Sequence, residues 1–204
     1  MPSVSLHAEG LQKTFNRRRI FSGIGFDLSE TQALSITGRN GSGKSTLMKI
    51  IAGVLSPTSG SLTLRIGDRA VAPWERHRHI GFVSPYLQLY DEFSGVENLM
   101  LFCQVRGIQA DVHALLQSVN LAARKNDLVR TYSSGMRQRL KYAFALLHRP
   151  PVLLLDEPTS NLDSEGKETV RRIIEEQRRS GIVLIATNDE DDRALCSHEV
   201  HLDA

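Results

Sequence analysis

Residues 38–46 read GRNGSGKST, and their types and spacing suit the holding of a chain of phosphates. The run Gly38-Arg39-Asn40-Gly41-Ser42-Gly43-Lys44-Ser45-Thr46 fits the pattern G-x-x-x-x-G-K-[ST], which is specific when a strand precedes it and a helix follows. Gly41 and Gly43 let the backbone approach oxygens closely, and successive N–H groups form a nest for an anion. The N-terminus of the following helix adds partial positive charge. Lys44 is placed to reach the β- and γ-phosphates, and the Ser45 hydroxyl to ligate Mg²⁺. The competing explanation, a glycine turn arising by chance, does not account for Lys44-Ser45 at this spacing.

The second chemical feature is Asp156-Glu157, which follows the apolar residues Val152, Leu153, Leu154 and Leu155. Such a run suits a strand buried on both faces, and ligands of open α/β sheets bind at the carboxyl ends of such strands. A carboxylate at 156 can hold Mg²⁺ directly or through water. Glu157, one residue on, points elsewhere and is the natural base for an attacking water, a role typically worth ~10²–10⁴ in rate. Alone, the pair would read as a surface turn closed by Pro158; together with the phosphate loop it reads as catalytic.

These groups need elements to position them. Alternation of apolar and polar residues predicts a strand over 4–9, and a second over 20–28 interrupted by Gly23 and Gly25. Residues 33–37 form a strand feeding the glycine loop, residues 45–52 a helix, and Gly53 its stop. Further strands are expected over 61–66 and 80–84. Apolar positions then recur at helical spacing over 96–105, 112–121 and 136–147, so residues 85–147 read as a helical insertion. Strands over 152–155, 181–186 and 200–202, with a charged helix over 165–179, complete the pattern.

The 204 residues are 41% hydrophobic and 24% charged with a net charge of +2, as suits one soluble globular unit. The small charge excess argues against nucleic acid as a partner. The basic runs Asn16-Arg17-Arg18-Arg19 and Arg76-His77-Arg78-His79 read as solvated surface. Cys103 and Cys196 lack metal-ligand or disulfide spacing, which points to a reducing cytosol. The N-terminus lacks a signal-peptide pattern, and no apolar run approaches the ~18–20 residues that span a bilayer. Work at a membrane would need another chain.

Between the two chemical features lies Tyr132-Ser133-Ser134-Gly135-Met136, followed by a helix with Met136, Leu140, Ala143, Phe144 and Leu147 on one face. Alone this is a simple N-cap. Twenty-odd residues before Asp156-Glu157, it resembles the signature motif of the ATP-binding subunits of ABC transporters, a resemblance that runs over nearly the whole chain. The resemblance implies an α/β fold: a P-loop NTPase core of mostly parallel sheet, an N-terminal antiparallel β part and a helical subdomain insertion. It implies a single domain over 1–204, with 1–84 and 148–204 as the core and 85–147 as the helical signature subdomain. It also implies a sandwich of two such chains, homodimeric, in which Ser133, Ser134 and Gly135 bind the γ-phosphate held by the partner. Asp163, in Ser160-Asn161-Leu162-Asp163, matches a loop crossing that interface, and can also cap the next helix. Thr46 matches the α-phosphate contact, and Phe15 the aromatic that stacks on adenine, with a core phenylalanine as the alternative. ATP and Mg²⁺ are the implied ligands.

Ser134 and Met136 depart from the signature's first glycine and final glutamine, and two further positions depart from the family. Pro85 stands where a glutamine is expected, with Gln88 as a substitute only if the loop folds differently. Asn188 stands where histidine usually contacts the γ-phosphate; it can donate a hydrogen bond but cannot shuttle a proton. Since Lys44, Asp156 and Glu157 are intact, slow hydrolysis is expected. The resemblance implies a motor driving integral membrane subunits through a groove near residues 85–105, placed peripherally on the cytoplasmic face of the cell membrane, with export slightly preferred. A soluble ABC ATPase and an ATP-dependent dimerisation module are the alternatives. The chain stops early for the family, and no C-terminal regulatory domain is expected.

Overall fold

The computed structural model describes residues 3–160 and 162–202. Two sheets organise the chain. The first is antiparallel, in the order β2-β1-β4-β5, from β1 (Val4–Phe15), β2 (Arg18–Ser29), β4 (Ser59–Ile66) and β5 (Arg69–Val71). The second is parallel, in the order β6-β7-β8-β3-β9, from β3 (Ala33–Thr37), β6 (Ile80–Val83), β7 (Val152–Asp156), β8 (Ile182–Ala186) and β9 (His198–His201).

The parallel sheet is buried on both faces because its strands have apolar side chains on both. Every residue of β3, β7 and β8 is buried. Alternate residues point to opposite sides. Leu34, Ile36, Leu154 and Leu184 join the core shared with the antiparallel sheet and α1 (Lys44–Ile51). Ala33, Leu153, Leu155, Val183 and Ile185 face the second core, under α4 (Ser134–Leu146) and α5 (Ser164–Arg178). Two more helices, α2 (Gly95–Arg106) and α3 (Val112–Ser118), complete the helical insertion, and α6 (Glu190–Ala194) follows β8.

Local chemistry explains the helix ends. Ser94 and Glu97 close a capping box on α2, and Gly107 ends it at φ 62°. Asp163 caps α5 by accepting Gly166 N–H at 2.8 Å. The basic run at 16–19 makes the β1–β2 hairpin turn at Asn16 and Arg17 and opens β2 at Arg18 and Arg19. Asn16 and Arg17 have φ of 45° and 67°, positive at both central residues as tight hairpins of this twist require.

The structure differs from the sequence expectations in several places. β5 and α6, of three and five residues, are too short to carry a periodic signal. The 96–105 helix forms, but Val105 is 74% exposed and Met100 50%, so its apolar positions are not one buried stripe. In α4 the expected face is buried or half-buried, and Tyr142, off that face, is wholly buried too. In agreement with the sequence, Cys103 and Cys196 are free thiols, and burial pushes the Cys196 thiol up to about 12.

Gly81 is where β6 meets α4. A Cβ there would lie 2.5 Å from the Ala145 carbonyl oxygen and 2.8 Å from a Pro150 ring carbon. Gly81→Ala is expected to cost about 1–3 kcal/mol of stability through overpacking. The midpoint of a urea unfolding curve should fall while its slope stays unchanged.

Candidate functional site: a phosphate-binding edge

The carboxyl edge of the parallel sheet gathers the chemistry. β3 runs into the glycine loop, whose φ values at Gly38, Gly41 and Gly43 are 138°, 86° and 106°, a region that favours glycine. Two of these glycines are also needed for space. A Cβ on Gly38 would sit 2.5 Å from the Leu202 carbonyl oxygen, and one on Gly43 would sit 2.5 Å from an Ile20 methyl. The loop is therefore wedged between the end of the chain's last strand and β2. Arg39, Asn40 and Gly41 stand exposed at its crest.

α1 begins with no side-chain cap and no acid in its first turn, and Leu47 N–H is the first to find an intrahelical partner, the Gly43 carbonyl at 2.8 Å. The N–H groups of Lys44, Ser45 and Thr46 are thus left for an anion. The Ser42 hydroxyl is buried with no partner. Lys44, 7% exposed, donates to the Gly38 carbonyl at 2.7 Å, so its ammonium already sits inside the loop.

Asp156 ends β7 and is 2% exposed. Ser45 lies close enough to its carboxylate to stabilise the charged form, and its buried Oδ2 has no partner. Burial pushes its pKa up, against the pull of Ser45, Lys44 and Lys49. Such an orphaned carboxylate oxygen beside a serine hydroxyl fits a hard cation. Among the described residues no group of three His, Cys, Asp or Glu could hold a metal. Mg²⁺ suits such a site, since it takes one or two protein oxygens together with phosphates and water.

Glu157 is half-buried with φ 52°, a left-handed conformation costing ~1–3 kcal/mol for a residue with a side chain. Its N–H donates to the Ala186 carbonyl at 2.9 Å. Burial raises its pKa; Lys44 opposes this, and Asp156, Asp192 and Asp189 add to it. That direction suits a base. Asn188 reaches the loop from the end of β8. Its amide donates to Asn40 Oδ1 at 3.2 Å, and in the opposite amide orientation its nitrogen lies 2.7 Å from the Gly38 carbonyl and its oxygen 3.1 Å from Lys44 Nζ.

The structure therefore brings together the 38–46 loop, Asp156, Glu157 and Asn188. It puts Ser133, Ser134 and Gly135 elsewhere. Ser133 caps α4 by accepting Met136 N–H at 3.2 Å, and Ser134 lines a cavity of about 570 Å³ with Pro85, Gln88, Lys141 and Ser160. Gln88 thus faces the α4 N-terminus. Asp163 takes its capping role, and Asn161 lies outside the described residues. Phe15 is 44% exposed with Lys13 Nζ 4.7 Å from its ring centre, so it is no core residue. Its hairpin adjoins the loop, because Ile20 and Phe21 crowd Gly43.

Sequence reasoning missed several supports. Lys141 on α4 donates to the carbonyls of Pro85 at 3.1 Å and Ser84 at 3.4 Å, so the segment that lacks the family's glutamine is tied to α4. Tyr142, also on α4, donates to the Pro158 carbonyl at 2.9 Å. Asp192 accepts from Thr187 and Thr159. None carries a local signal, since each partner is distant in sequence or sits in a helix too short to foresee.

Asp156 supplies a test of the site's electrostatics. Its folded-state pKa is raised, so the folded chain holds that proton more tightly than the unfolded chain. The resulting penalty on stability is absent at low pH and complete above the raised pKa. Without nucleotide or divalent cation, Asp156→Asn should raise the melting temperature at neutral pH. Thermal denaturation across pH should show the gain vanish as pH falls through the ordinary aspartate range.

Comparison with known proteins agrees with this geometry. Residues 21–160 match the ABC transporter family. The chain is 38% identical over 188 residues to the uncharacterized ABC transporter ATP-binding protein YdbJ of Bacillus subtilis (strain 168), covering 90% of this chain and 61% of that protein. It is 31% identical over 210 residues to the lipoprotein-releasing system ATP-binding protein LolD of Bacteroides fragilis (strain YCH46), covering 97% of each. In fold it resembles the ATP-binding cassette MJ0796, solved as a dimer in a post-hydrolysis state with ADP and Pi, at a TM-score of 0.84 and 24% identity, over 97% of this chain and 94% of that one. With the phosphate loop, the acidic strand end and the α4 N-terminus all in place, the chain belongs to the ABC transporter family as one of its ATP-binding proteins.

Proposed function

We propose that this chain is the ATP-hydrolysing motor of a membrane transporter, acting as a sandwich dimer on integral membrane subunits carried by other chains. The observation that carries the proposal is the convergence of Lys44, Ser45, Asp156 and Glu157 on one sheet edge, with the α1 N-terminus open toward it.

The residues divide the work. The loop N–H groups and Lys44 hold the phosphates, and Lys44 leaves the Gly38 carbonyl to do so. Ser45 and Asp156 would hold Mg²⁺, which would supply positive charge against that of the phosphates. Glu157, its basicity raised by burial, accepts a proton from the attacking water. Asn188 offers one amide donor to the terminal phosphate. Phe15 stacks on the adenine.

Ser133, Ser134 and Gly135 lie at a helix N-terminus away from the chain's own loop, which supports a role on a nucleotide held by a second ATPase subunit, with Asp163 at the crossing. Among the described residues no helix is long and apolar enough to cross a membrane. Tyr86, Tyr90 and Met100 are 72%, 53% and 50% exposed, and such apolar exposure suits a docking surface for a membrane subunit. A peripheral position on the cytoplasmic face follows. LolD is named for lipoprotein release, which supports export.

Asn188 in place of a histidine favours a second reading, an ATP-dependent dimerisation module with weak turnover. Steady-state ATPase assays with the partner subunits separate the two. Glu157→Gln should keep ATP binding and lose ~10²–10⁴ in turnover. Asn188→His should raise turnover by ~10- to 10²-fold if a better-aimed donor is restored. A wild-type rate no higher than that of Glu157→Gln would leave only the dimerisation module.

A further inference from the structure

Two loops carry the groups that the proposed function assigns to the terminal phosphate. Glu157 begins the loop after β7, and Asn188 lies in the loop after β8. The ladder between these strands ends at Asp156 and Ala186, with one last bond from Glu157 N–H. Beyond that point the sheet no longer holds either loop, yet Glu157 keeps a left-handed backbone that persists only where its surroundings impose it.

A buried carboxylate joins the two loops. Asp192 on α6 is 2% exposed, and its Oδ2 accepts from Thr187 Oγ1 at 2.9 Å and from Thr159 Oγ1 at 3.1 Å. Thr187 Oγ1 in turn accepts Asp189 N–H at 3.0 Å, so the backbone is fastened on both sides of Asn188. Asp189 Oδ1 accepts Asp191 N–H at 2.8 Å and Asp192 N–H at 3.4 Å, which fixes α6 itself. From the opposite side, the fully buried Tyr142 donates to the Pro158 carbonyl at 2.9 Å. The residues after Glu157 are thus held in turn: Pro158 by Tyr142, Thr159 by Asp192, and Ser160 by its hydroxyl on the Glu157 carbonyl at 2.8 Å. A buried carboxylate satisfied by hydroxyls is a costly way to fill a core. Its geometric effect here is to lock two catalytic loops to each other.

We propose that Asp192 and Tyr142 are positioning residues that hold Glu157 and Asn188 in register with the terminal phosphate. The proposal rests on the ATPase reading above. It assigns neither residue a contact with nucleotide. Removing them displaces the base while leaving the phosphate loop intact, so the loss falls on the chemical step and not on ATP binding.

The test is steady-state ATPase kinetics of the assembled protein, with circular dichroism to confirm folding. Asp192→Ala should lower kcat by ~10- to 10²-fold, as misplacement of a reacting group does. KM for ATP should stay within about two-fold. Asp192→Asn keeps an acceptor oxygen and should recover part of the rate. Two near-isosteric variants guard against misfolding of the alanine form. Thr159→Val removes only the loop's bond to Asp192, and Tyr142→Phe only the bond to Pro158. Each should lower kcat several-fold at unchanged KM. Adding Thr159→Val to Asp192→Ala should cost little more than Asp192→Ala alone, because both cut one connection. The proposal is overturned if folded Thr159→Val and Tyr142→Phe keep wild-type kcat, if KM and not kcat moves, or if the Thr159 and Asp192 effects simply add. A wild-type rate equal to that of Glu157→Gln would instead remove the ATPase reading, and this role with it.

Discussion

The site depends on the balance of charge around one buried ammonium. Lys44 lies inside a loop of backbone donors, within reach of the fields of Asp156 and Glu157. Burial makes both carboxylates costly to ionise, and Lys44 offsets part of that cost. The ammonium donates to the Gly38 carbonyl. The negative charge of phosphates is matched to Lys44 and to the free N–H groups of α1. Gathering buried charges at one edge costs stability, and the two cores flanking the sheet offset that cost.

The architecture follows from keeping those groups at one edge. A parallel sheet buried on both faces ends its strands together, so β3 delivers the phosphate loop, β7 the acids and β8 the amide to adjoining positions. The helical insertion serves a different end. Its α4 starts at an exposed N-terminus suited to an anion held elsewhere and packs its far end on β6 through Gly81. Along its length, Lys141 holds the segment at Ser84 and Pro85, and Tyr142 holds Pro158. The helix that begins at Ser134 is therefore bonded to the turn that follows Glu157.

Much of this was readable in the residues themselves. The glycine loop, Lys44, Ser45, Asp156 and Glu157 are contiguous motifs whose spacing already states their chemistry. The buried strands announce themselves as short apolar runs, and Asp163 and Gly53 as helix boundaries. All of these are local signals, with partners within one turn or one strand. Phe15 and Gln88 were not settled in this way, because aromatic and amide residues serve equally well in a core, in a loop or against a ligand. Exposure and the lining of the cavity decided where they lie.

The connections that hold the motifs in place were beyond local inference. Asp192 meets Thr159 across 33 positions of the chain, and Lys141 meets Pro85 across 56. No periodicity encodes such pairs, since they arise only when β7, β8 and α4 have packed. The identity of the chemistry lies in short-range spacing, which the sequence carries whole. The placement of the base and amide sensor relative to the phosphate loop depends on buried hydrogen bonds between distant segments, and these form only in the folded chain.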